Sequence, residues 1–100
     1  MEKYKVTISS SAQSDFLRIV DQINSMPPEE AVLYFEQFMD EAAILLESPT
    51  SCPFARDSQL RMRRYRVLAV DNYIFFFVVN GNTVEIRRIL YSRRQYERLL

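Results

Sequence analysis

The sequence predicts an α+β fold: an N-terminal strand, an αα-hairpin, a three-stranded antiparallel meander and a short C-terminal helix, packed as a two-layer sandwich. Three observations predict it. Apolar residues recur at helical spacing from residue 12 to residue 46, and the pattern turns to strands after residue 60. The change of period happens once, without repeats or a linker. The length, 100 residues, suits one core, so residues 1–100 are read as a single domain.

Residues 3–8 (KYKVTI) alternate polar and apolar side chains and are rich in β-formers, which makes a first strand. Ser9, Ser10 and Ser11 then offer helix caps, with Gln13 placed to complete a capping box from Ser10. Ala12, Phe16, Ile19, Val20, Ile23 and Met26 form one face of an amphipathic helix, which Pro27-Pro28 ends. The second helix starts at once, because Pro is tolerated in a first turn and Glu29 and Glu30 suit the positive end of the macrodipole. Its apolar stripe runs from Ala31 through Phe35, Phe38 and Ala42 to Leu45 and Leu46, and Ser48-Pro49 stops it. The short connection implies an antiparallel hairpin of helices.

A loop is expected over residues 50–58. Residues 60–70 read as a strand, Asp71-Asn72 as a tight turn, and residues 73–79 (YIFFFVV) as a central strand covered on both faces. Asn80-Gly81-Asn82 makes the next turn and residues 83–91 the next strand. Ser92 and Gln95 are spaced as a capping box for a short last helix over residues 92–100.

Composition excludes several kinds of chemistry. There is no His, so His-based acid–base catalysis, a Ser-His-Asp triad and the usual zinc sites are out, and neither a metal nor a cofactor is expected. One Cys, Cys52, cannot form an internal disulfide and has no base beside it, so it reads as structural and fits a reducing, cytoplasmic setting. The N-terminal MEKYKV lacks the apolar core of a signal peptide. The longest apolar run, residues 74–79, falls far short of the roughly 20 residues that cross a bilayer, and no membrane partner is expected.

The formal charge of zero hides an asymmetry. Residues 1–50 carry three basic and nine acidic side chains, a net −6, and residues 51–100 carry ten Arg and four acids, a net +6. Every base in the second half is Arg, whose planar fork suits carboxylates and phosphates. Arg61, Arg63, Arg64 and Arg66 fall on one expected strand, where alternation splits them between its two faces. They serve either to keep an edge strand from pairing with another chain or to line an anion-binding surface, with Tyr65 and Tyr73 as stacking planes. Arg87, Arg88, Arg93, Arg94 and Arg98 form a second cluster, flanked by Tyr91 and Tyr96. These Arg either pair with Glu85 and the acidic helices or face an anionic partner.

Together these segments resemble the RelE/ParE superfamily of bacterial type II toxins. The resemblance rests on LRMR at 60–63, NYIFFFVV at 72–79 and VEIRRILYSRRQY at 84–96, with FEQFMDEAAILL at 35–46 matching the N-terminal half. Two activities are implied. A RelE-like chain would be an endoribonuclease cutting mRNA on the ribosome, with Arg61, Arg63 and Arg94 holding the scissile phosphate and Tyr91 or Tyr96 at the ribose 2′-hydroxyl. A ParE-like chain would be no enzyme and would inhibit DNA gyrase. Ile74 stands where RNA-cleaving members carry a base, and Tyr91 stands where a His is frequent. Those departures favour the gyrase inhibitor. The resemblance also implies neutralisation by a cognate antitoxin, with Arg61, Arg63, Tyr65, Arg88, Arg93, Arg94 and Arg98 as residues that meet target or antitoxin.

Overall fold

The computed structural model describes residues 4–92. Strand β1 (Lys5–Ile8) leads into helix α1 (Ser10–Asn24), followed by α2 (Pro28–Ala42), a single turn α3 (Ile44–Glu47), a 3₁₀ turn (Pro49–Ser51) and a short helix α4 (Ser58–Met62). Strands β2 (Arg66–Val70), β3 (Tyr73–Asn80) and β4 (Thr83–Tyr91) complete the described fold. The expected helix over residues 92–100 lies outside the described residues.

The sheet order is β1-β4-β3-β2, with β2, β3 and β4 an antiparallel meander and β1 parallel to β4. Helices α1 and α2 cover one face. There Ile19, Ile23, Phe38 and Leu45 meet Phe75, Phe77, Val84, Ile86 and Ile89 in the main core. Phe76 points the other way, as alternation requires, into a smaller core with Ala55, Leu60, Tyr65 and Leu90. The central strand is therefore covered on both faces, the second by the segment that carries α4.

A register slip between Phe76 and Phe77 shapes the site. Phe76 faces Arg88 and Phe77 faces Ile86, which leaves Arg87 as the extra residue of a bulge. The slip explains how Ile86 and Ile89, three residues apart, both reach the helix-side core. The two-residue turns fall where the sequence put them. Asp71 takes φ of 54°, a conformation that Asp tolerates, and Gly81 takes 62°.

Three expectations are corrected. Residues 60–65 are not strand: Asp57 accepts a hydrogen bond from the Leu60 amide at 3.0 Å, caps α4, and makes one helical turn before the chain enters β2. The cap of α1 is Ser9, which accepts from the Ala12 amide, so the Ser10–Gln13 box does not form. The second helix ends at Ala42 and restarts as α3, rather than running unbroken to Leu46.

Candidate functional site

Each face of the sheet presents a surface of its own. On the helix side, α1 leans on β4 and α2 lies toward β2, and between them opens an apolar groove of about 250 Å³. Phe16 forms one wall, Met39, Ala42 and Leu46 the other, and Val6, Phe75, Ile86 and Ile89 the floor. Small side chains at Ala42 and Ala43 keep it open, and Ile8, Met39 and Leu46 are exposed along it.

A polar cleft of about 400 Å³ lies on the same side, toward the β2–β3 turn. Tyr34 Oη donates to Asp71 Oδ2 at 2.6 Å, and Tyr73 Oη donates to Gln22 Oε1. Burial, then the neighbouring Asp71 carboxylate, pushes the Tyr34 phenol far above its ordinary value. Tyr73 is raised too, by burial first. Tyr91 packs edge-on against Tyr73, with centroids 5.8 Å apart, at the mouth of this cleft.

On the opposite face the segment around α4 carries Arg56, Arg61, Arg63 and Arg64. Helix α4 ends in a Schellman motif: the Arg64 amide donates to Arg61 O at 2.9 Å and the Tyr65 amide to Leu60 O at 3.0 Å. Arg64 sits at the left-handed position, φ 64°, where Gly is usual. Arg56, Arg61, Arg63 and Arg64 are exposed around this knob, and Met62 projects from it at 83% exposure. The Arg63 guanidinium lies 5.4 Å from the Tyr65 ring centroid. Arg66, paired with Phe77 and so on the helix side, covers the Phe54 ring at 4.0 Å and donates to Cys52 O at 2.7 Å, fastening the loop to β2.

The residues expected to act together are thus divided. Arg61 and Arg63 are on α4 and its cap, not on a strand, and they lie across the sheet from Tyr91. Tyr65 is only 4% exposed, so it is a core residue and offers no free stacking plane. Arg88 is held by the protein itself: its Nε and Nη2 donate to Asp15 at 2.8 and 3.0 Å. Arg87 reaches Glu85 at 3.5 Å. Arg93, Arg94, Tyr96 and Arg98 lie outside the described residues.

Asp15 is the residue that sequence reasoning missed. Strand β1 pairs with β4 only as far as Ile86, so the rest of β4 would have an open edge. Helix α1 covers it. Ser9 Oγ donates to Arg87 O at 2.8 Å, and Asp15 Oδ2 accepts the Ile89 amide at 2.9 Å. Burial pushes the Asp15 carboxyl up, but hydrogen bonds from Arg88 and Ile89, with the charges of Arg88 and Arg18, outweigh it and hold the group below its ordinary value. The available signal was an acid one position from the apolar stripe of α1, between Ala12 and Ile19. Cys52 is buried, and burial raises its thiol pKa, as suits a structural residue.

The comparisons with known proteins agree with this architecture. Over residues 6–96 the sequence matches the family described as ParE toxin of type II toxin-antitoxin system, parDE.

The chain belongs to the ParE toxin family.

ParE-family membership makes it a ParE-like toxin component of a type II toxin–antitoxin system. Among solved structures, a chain from "Chromosomal ParDE TA system from P. aeruginosa" shares the fold with a TM-score of 0.68. The two are 17% identical, and the match covers 90% of this chain and 97% of that one. No curated protein matches significantly. No helix among the described residues is long and apolar enough to cross a membrane.

Proposed function

We propose that this ParE-family toxin arrests growth by inhibiting DNA gyrase, not by cutting mRNA, and that a cognate antitoxin neutralises it. The observation that carries the choice is the division of the site. Of the side chains a ribonuclease would need around one phosphate, Arg61 and Arg63 lie across the sheet from Tyr91, while Arg94 and Tyr96 lie outside the described residues. The two departures from the RelE pattern, Ile74 and Tyr91, point the same way. With no His in the chain, a Tyr base would need a large downward shift from its ordinary pKa of about 10.

One surface supports the neutralisation reading. The apolar groove suits the apolar side of an amphipathic segment that orders on binding. Supercoiling by purified gyrase, measured as the toxin is titrated in, tests the target. Supercoiling should fall with added toxin and recover when the product of the adjacent gene is supplied. Ribosome-dependent cuts in a primer-extension assay, abolished by Arg94→Ala, would establish the RelE-like reading instead.

A further inference from the structure

Between described residues, only Arg88–Asp15 pairs a base of the Arg-rich half with an acid of the acidic half. Among the described residues the ion pairs are Arg88–Asp15 and Arg87–Glu85, both centred on β4. None of Glu29, Glu30, Glu36, Asp40 and Glu41 on or beside α2 is in an ion pair, and neither is Arg56, Arg61, Arg63 or Arg64. The sheet separates the two groups, with α2 on one face and the α4 knob on the other.

Each surface also bears local cost. Glu36 and Asp40, four residues apart on α2, are like charges at adjacent positions of a helix face, worth a few tenths of a kcal/mol against the helix. Arg64 holds a backbone conformation that favours Gly. A partner of opposite charge relieves the first and gives a use to the second. The apolar side chains complement each other too. Val32, Leu33 and Phe35 are exposed on α2, and Met62 is exposed on the knob. Arg with Met and aromatic residues is the composition of protein interfaces, and Tyr65, the ring a nucleobase would stack on, is buried.

We propose that uncomplexed copies of this chain associate head to tail, with Glu36 and Asp40 of α2 in one copy set against Arg61 and Arg64 of the α4 knob in the next. A net charge of zero leaves no overall repulsion to oppose it. The sheet lies between the two surfaces, so a neighbour seated on one leaves the other open. The contact is heterologous, so each added copy exposes a fresh surface of each kind. The inference does not depend on the gyrase reading.

Light scattering on the purified full chain across a concentration series, at about 50 mM and about 500 mM NaCl, tests it. At low salt the average mass should climb past that of two chains without a plateau, and at high salt it should return to the 11.9 kDa monomer. The pair Arg61→Glu with Arg64→Asp should be monomeric at low salt, as should the pair Glu36→Lys with Asp40→Lys. An equimolar mixture of the two variants should associate again, because each then offers the charge the other needs. Circular dichroism identifies any variant that has not folded, and the wild-type salt series stands without them. A wild-type chain that stays monomeric at low salt overturns the proposal, as does association that survives high salt or a mixture of folded variants that stays monomeric. Wild-type monomers whose knob binds a single-stranded oligonucleotide, lost in the Arg61 and Arg64 variant, would make the knob a nucleic-acid surface instead.

Discussion

Asp15 and Arg88, 73 residues apart in the chain, share two hydrogen bonds, and the same carboxylate accepts the Ile89 amide. Asp15 is 4% exposed and has no side-chain polar atom left unsatisfied. One carboxylate therefore does three jobs. It ends the ladder where β1 runs out, fixes α1 against β4, and compensates a guanidinium on the bulged strand.

Removing one partner of this pair should be costly. Asp15→Asn keeps the shape but leaves the Arg88 charge without its counter-ion, and breaking a buried pair in this way costs roughly 3–5 kcal/mol. Urea denaturation should place Asp15→Asn and Arg88→Met each about 3 kcal/mol below wild type. The double variant Asp15→Asn with Arg88→Met should lose less than the sum of the two. Strict additivity would show that the pair is not coupled.

The same carboxylate sets an acid limit. Its pKa is lower folded than unfolded, so its stabilisation is fully present above the unfolded value of about 3.9 and is lost as pH falls through the folded value. The stability gap between wild type and Asp15→Asn should be constant above about pH 5 and shrink below about pH 4. A gap that widens on acidification would mean that the folded-state pKa of Asp15 is raised, not lowered.

Arg64→Gly should stabilise the fold. The position is left-handed, φ 64°, and both Schellman hydrogen bonds come from the backbone, which Gly keeps. The gain should be about 0.5–1 kcal/mol in thermal or urea unfolding. Arg64→Val, β-branched at the same position, should instead destabilise. If Gly and Val behave alike, the left-handed turn is absent in solution.

Cys52 reports on the loop that Arg66 fastens. Its thiol is buried and raised in pKa, so a thiol reagent should label the native protein slowly and the urea-unfolded protein at once. Arg66→Ala removes the bonds to Thr50 O and Cys52 O and should speed native labelling without unfolding the sheet. Unchanged labelling would mean that Arg66 does not hold this loop.

The parts of the fold written in period and turn residues were legible. The stripes of α1 and α2, the Asp71-Asn72 and Gly81-Asn82 turns and the alternation of YIFFFVV each carry their own local signal. What could not be read depended on partners far away in the chain. The parallel pairing of β1 with β4 has no local mark, and Asp15 takes its meaning from Arg88 and Ile89. Helix α4 was missed because β-forming residues outweighed one signal, Asp57 three residues before Leu60. A left-handed Arg64 has no sequence signature, since Arg seldom occupies that conformation. The candidate site split for the same reason, because Arg61 and Arg63 moved off the expected strand.

The pairing of β1 with β4 also governs the order in which the molecule can be made. Lys5 lies beside Thr83 and Ile8 beside Ile86, so the first strand has no place in the sheet until the last has been synthesised. Helix α1 is in the same position, because Ser9 and Asp15 bind to Arg87 and Ile89. Such long-range closure slows folding and leaves the apolar stripes of both helices uncovered on the nascent chain. The groove, floored by Ile86 and Ile89, therefore forms late, when β4 joins the sheet, and a chain that stops short of β4 lacks it.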